Sequence, residues 1–254
     1  MTTTVLFATC DKYFRFAPSA ILSSIDLGYS VHVALPADIH GSTIANLILA
    51  QAHYTERLTF SLHEVPANYD RAAYMASLRF IILPDILAQS ENVWTIDADT
   101  ILLKELPIGK QPVALAFAPR VNFQIRNWAR HENMDLEWSV HGNTVVGLLS
   151  GFFGSDSHDW ARHLSDRTIR LFQDGHGKWL VDQVALYRTW IANYTLGIDP
   201  LDRLGLKWRS VEHLKGDEHL TVPLSLQAKN GDDWTRAAAP CTQRWKAITG
   251  ATND

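Results

Sequence analysis

The sequence predicts an α/β fold built on a mainly parallel, doubly wound sheet. Three observations predict it. Over the first hundred of 254 residues, short apolar runs alternate with stretches of helical periodicity, the pattern that lays helices against a parallel sheet. One apolar run, Asn92 to Ile96, ends directly in two carboxylates, Asp97 and Asp99. Hydrophobic residues make up 46% of the chain and charged residues 20%, which suits a sizeable core.

Each element follows from its local pattern. Thr4 to Ala8 is a short apolar strand, and Phe16 to Leu27 is helical, with Ala17, Ile21, Leu22 and Ile25 on one side. Gly28 supplies the stop. Ser30 to Leu35 reads as a second strand and Ser42 to Ala52 as a second helix, with Ser42 as its N-cap. Phe60 to Val65 alternates like a strand, and Arg71 to Leu87 is helical in composition but interrupted by Pro84. The fourth strand, Asn92 to Ile96, follows. In the second half, Val113 to Phe117 and the Gly-broken run Thr144 to Phe153 are strand candidates. Asp159 to Phe172 and Leu180 to Tyr194 are helical, and the tail from Gly197 carries strand-like pieces at Val211 and Val222 to Leu226. No linker or repeat divides the chain. The simplest organisation is one domain over 1–254, in two halves, 1–103 and 104–254.

Composition narrows the function. A net charge of −4 offers no electrostatic case for nucleic acid or an anionic membrane. No window approaches the roughly 20 apolar residues of a transmembrane segment. The N-terminus lacks a secretory pattern, and Cys10 and Cys241 form neither a disulfide framework nor a zinc-ligand spacing. The expectation is a cytoplasmic protein.

Asp97-Ala98-Asp99 carries the chemistry. Carboxylates at the C-terminal end of a parallel strand face the crevice where α/β sheets bind ligands. Two oxygen ligands this close suit Mn²⁺ or Mg²⁺, with substrate phosphates completing the shell. The plain alternative is a strand-end turn in which one Asp caps the next segment and the other is solvated.

With its neighbours, this segment resembles the GT-A fold nucleotide-diphospho-sugar glycosyltransferases, and within them the family-8-like enzymes. Tyr74 to Leu87, containing Arg79, precedes Val93 to Asp99 as the family's aromatic–Arg–helix precedes its Asp-x-Asp strand. Leu149-Ser150-Gly151-Phe152-Phe153 resembles the strand lining the donor sugar, and Trp179 to Leu186 resembles the Asp-Gln helix start. Ala8-Thr9-Cys10-Asp11-Lys12-Tyr13 falls where the family binds its base. The matches run in order over residues 5–190.

The resemblance implies a GT-A, Rossmann-like sheet and transfer of a hexose from a nucleotide-diphosphate sugar, a UDP-sugar, to a glycan or other hydroxyl acceptor, with retention. It implies metal binding by Asp97 and Asp99, and catalytic placement of Asp182 and Gln183 at the sugar. Ala8, Thr9, Asp11, Tyr13, Arg79, Asp97, Ala98, Ser150, Gly151 and Lys229 would contact the donor, Tyr13 by stacking on the base. The sequence departs from the family in two places. Cys10 stands where the family often has Asp, and Gln227 stands where it has a late His ligand, with His213 and His219 nearby. Simpler roles stand beside these: Arg79 paired with Asp85 on a helix surface, Asp182 as a first-turn carboxylate, Tyr13 and Phe14 as packing aromatics. Trp128 and Trp138 are candidate acceptor platforms. The rival functions are a nucleotidyltransferase, disfavoured by the lack of Gly between Thr9 and Phe14, and a degenerate, non-catalytic nucleotide-sugar binding module.

Overall fold

β1 (Thr3–Ala8) forms where the first apolar run lies, with Val5, Leu6 and Phe7 fully buried. This computed structural model describes residues 2–106, 113–117, 145–148, 154–178, 180–191, 211–215, 225–227 and 231–250. β2 (Ser30–Pro36), β3 (Leu58–His63) and β4 (Asn92–Thr95) join β1 in parallel, in the order β3-β2-β1-β4. β7 (Val145–Leu148) then pairs antiparallel with both β4 and β6 (Val113–Phe117), and β8 (Val211–Lys215) lies parallel to β6. The result is a seven-stranded sheet, β3-β2-β1-β4-β7-β6-β8, with β5 (Thr100–Leu102) and β9 (Ser225–Gln227) as a separate antiparallel pair.

Strand alternation sends side chains to two cores, one on each face. Leu6, Ala34 and Val93 pack with α4 (Arg71–Ile81), α5 (Leu83–Leu87), α6 (Ser155–Gln173) and α7 (Val181–Ile191). Val5, Phe7, Val33 and Trp94 pack with α2 (Ala17–Asp26), α3 (Gly41–His53) and α8 (Asp232–Thr249). The short α1 (Asp11–Phe14) adds Phe14 to this second core.

The helix predicted over 71–87 forms as two helices. Asp70 caps the first, its carboxylate accepting from the Ala73 N–H at 2.8 Å, and Pro84 sits in the first turn of the second, where its missing N–H costs nothing. The expected cap of α3 is corrected. His40, not Ser42, occupies the N-cap and supplies no side-chain bond. Asp11 reaches over instead, accepting from the His40 N–H at 3.3 Å and the Thr43 hydroxyl at 3.2 Å. At the end of α2, Gly28 adopts φ +88°, a left-handed turn that a side chain would strain. The tail, read as strand fragments and polar loops, also contains α8, a helix of 18 residues with Pro240 in its interior. Residues 144, 149–153, 192–194 and 222–224 of the predicted elements lie outside the described residues. Among the described residues, no helix is long and apolar enough to cross a membrane.

Candidate active site

β4 delivers the site. The Ile96 N–H still bonds the Leu6 carbonyl of β1 at 3.0 Å, after which Asp97 to Thr100 form a turn closed by the Thr100 N–H on the Asp97 carbonyl at 3.0 Å. Four residues therefore place Asp97, Ala98 and Asp99 at the C-terminal edge of the sheet, all half-buried. The turn and the metal readings of this segment share one geometry, because the turn is what brings the two carboxylates to the same edge.

Arg79 lies beneath them, only 4% exposed. Its Nη1 donates to the Asp97 Oδ1 and, at 3.4 Å, to the Ile96 carbonyl, while its Nη2 donates to the Asp182 Oδ2 at 3.0 Å. The surface pair with Asp85 does not form; the chain buries the guanidinium between two carboxylates 85 residues apart in sequence. Its Nε–H is buried with no hydrogen-bond partner. Burial opposes the charge on Arg79, but Asp97, Asp182 and Asp99 overcome it and raise its pKa. Asp182 behaves in the opposite way: burial outweighs the guanidinium and pushes its carboxyl pKa up, with Asp97 adding to the rise.

Asp182 and Gln183, 6% and 7% exposed, open α7, and the Gln183 Nε2 donates to the Asp182 Oδ2 at 3.4 Å. The residue before this helix, Leu180, is held at φ +75°, a conformation that costs a side-chain-bearing residue on the order of 1–3 kcal/mol. Just upstream, the Gly177 Cα touches the Phe172 ring so closely that a Cβ there would lie 2.1 Å from a ring carbon. The crowded Gly177 and the positive φ of Leu180 thus both lie within five residues of Asp182.

The N-terminal residues line the same edge. Thr9 is buried, its N–H on the Ala34 carbonyl at 3.0 Å, and follows Ala8 at the end of β1. Tyr13 keeps 38% of its surface exposed, while Phe14 is packed against Trp245. Asp11 is committed to the start of α3 as described. The register of β5 and β9 sets the Gln227 backbone opposite Thr100, one residue from Asp99. His213 is on β8, three strands beyond β4, roughly 14 Å at ordinary strand spacing. The Gln227 backbone is therefore the nearer of the two to Asp99. Ser150, Gly151, Lys229, Trp128, Trp138 and His219 lie outside the described residues. Among the described residues, no three His, Cys, Asp or Glu side chains converge as a metal cluster.

One contact at the site was not foreseen. The Trp234 indole N–H, from α8, donates to the Asp99 carbonyl at 2.8 Å, and its ring meets Phe16 edge-on at 5.4 Å. The tryptophan-rich second half was visible in sequence, but nothing there singled out Trp234.

No protein-family model matches the chain, and no curated protein matches it in sequence. Among solved structures, an active-site mutant of LgtC is similar with a TM-score of 0.51 and 14% identity, over 93% of this chain and 95% of that one. An apo structure of the bifunctional glycosyltransferase WbbM gives a TM-score of 0.40 and 12% identity, over 65% of this chain; the match spans 34% of the WbbM chain. The LgtC likeness establishes the fold, an α/β sheet of the GT-A, Rossmann-like type.

Proposed function

We propose that this chain is a metal-dependent glycosyltransferase that moves a hexose from a nucleotide-diphosphate sugar, a UDP-sugar, to a hydroxyl acceptor with retention. The observation that carries the reading is the buried Arg79, bound at once to Asp97 from the strand end and to Asp182 from α7. Together with Asp99 these side chains, three carboxylates and one guanidinium, bear a formal net charge of −2, which suits a divalent cation. An all-oxygen donor set fits Mn²⁺ or Mg²⁺. Asp97 and Asp99 would hold the ion, with the Gln227 amide as third protein ligand and donor oxygens completing the shell. When bound, the cation would offset charge on the departing diphosphate.

The remaining chemistry belongs to the chain. Ala8, Thr9, Asp11 and Ala98 would border the nucleoside, Tyr13 would cover the base, and Lys229 would meet the diphosphate. Arg79 holds Asp182 in place. Gln183 turns the nitrogen end of its amide to Asp182. In this reading the pair positions the donor sugar, which Ser150 and Gly151 would also contact, and steadies the positive charge that develops at the anomeric carbon. The likeness of fold to LgtC supports the reading without specifying donor or acceptor.

The test is Asp99→Ala. The expected result is loss of donor turnover by about 100-fold or more, as for removal of a preorganised electrostatic group, with the melting transition retained. Full turnover in that variant would remove the metal from the reaction.

A further inference from the structure

We propose that Arg167, Arg170 and Arg188 form a receptor for a phosphate group on the face shared by α6 and α7, apart from the acidic centre. Arg167 and Arg170 stand one turn apart on α6, and Arg188 comes from the last turns of α7. The Arg167 Nη1 donates to the Arg188 carbonyl at 2.9 Å, which draws the two helices together at this point. Arg167 is half-buried, and Arg188 and Arg170 both act on it as like charges. Burial, reinforced by these two neighbours, pushes the Arg167 pKa down.

Among the described residues no carboxylate lies within ion-pair distance of the three guanidiniums. On α6, Asp159 pairs with Arg162, while Asp166, four residues before Arg170, makes no ion pair with it. Three like charges on adjoining helices, two of them half-buried, are an arrangement that an anion relieves. Guanidinium forks match the tetrahedral oxygens of a phosphate, and three of them suit its multiple charge better than that of a single carboxylate.

The cluster does not belong to the proposed transfer site. Arg188 follows Asp182 by six residues, roughly 9 Å along the helix axis and roughly 120° around it, so the two side chains leave α7 on different faces. The phosphate group could be carried by a soluble phosphorylated compound or by an anionic lipid headgroup, and the two sources are separable by experiment.

The full chain is titrated in EDTA, which keeps divalent cations from the acidic centre and makes the result independent of the transferase reading. One arm uses inorganic phosphate and pyrophosphate in a calorimeter. The other measures co-sedimentation with phosphatidylcholine vesicles with and without phosphatidic acid. Each is repeated with Arg170→Gln, at an exposed position, and with Arg188→Gln, after their melting transitions have been compared with the parent. Saturable pyrophosphate binding weakened about tenfold in both variants assigns a soluble phosphorylated ligand. Phosphatidic-acid-dependent retention, lost in both variants, assigns a lipid headgroup. Absence of binding in both arms, or binding undiminished in the variants, overturns the proposal.

Discussion

Arg79 is the residue on which the site depends most. A buried guanidinium with a carboxylate on either side is a closed unit, and removing its centre leaves Asp182, itself 6% exposed, without its counter-charge. Arg79→Met is therefore expected to destabilise the fold by about 3–5 kcal/mol, the cost of stranding a buried charge, read as a lower midpoint in urea. A midpoint unchanged from the parent contradicts this role. Trp234 acts more locally. Trp234→Phe keeps the ring against Phe16 and deletes only the N–H on the Asp99 carbonyl. The expectation is a stability loss of about 1 kcal/mol and a several-fold higher metal concentration for half-maximal turnover. An unaltered metal dependence shows that the indole does not steady the turn. At this scale the sequence is legible where a residue is out of keeping with its surroundings. Asp97 and Asp99 interrupt apolar runs, and Arg79 and Asp182 sit in helices that are otherwise apolar around them. Trp234 is not out of keeping, since it touches the site through one N–H across 135 positions.

Among the elements, the edge strand β3 carries a polar ladder with a measurable consequence. The two ring nitrogens of His32 on β2 bond the Thr59 and Ser61 hydroxyls of β3 at 2.8 Å each, and the Ser61 hydroxyl meets the His63 Nε2 at 2.7 Å. Burial, helped by the His63 charge, lowers the His32 pKa from 6.5 to about 4. The neutral ring belongs to the folded state, so its contribution is complete above the unfolded pKa of 6.5 and is lost as pH falls toward 4. Over that window about 3 kcal/mol of stability is at stake. His32→Gln should flatten the acid limb of the stability profile between those values, followed by urea unfolding as a function of pH; an acid limb as steep as the parent's places the proton uptake elsewhere. α8 shows why an element can go unread. Only Ala238, Trp245 and Thr249 of its 18 residues are buried and Pro240 interrupts it, so its apolar stripe is thin. Its stability comes from tertiary contacts, with Trp245 in the core beside Phe14 and Arg244 on Asp26 at 2.8 Å. Trp245→Ala should cost about 3–5 kcal/mol, measured by the same denaturation.

For the molecule as a whole, the parallel half of the sheet was legible because each strand and helix announces itself by its own period and each crossover is local. The mixed half was not. β7 enters between β4 and β6 against their direction, and β5 finds β9 across more than a hundred residues, pairings that no local pattern encodes. One of them, β5 with β9, brings the Gln227 backbone opposite Thr100, beside the strand-end aspartates. The proposed activity requires that this edge bind a nucleotide-diphosphate sugar through a divalent cation. Calorimetric titration of a panel of nucleotide sugars in Mn²⁺ and in EDTA, with release of nucleoside diphosphate followed in the same samples, tests it most directly. The expected result is that one donor binds only with Mn²⁺ and slowly releases its nucleoside diphosphate. Binding of no donor under either condition, or equal binding in EDTA, would contradict it.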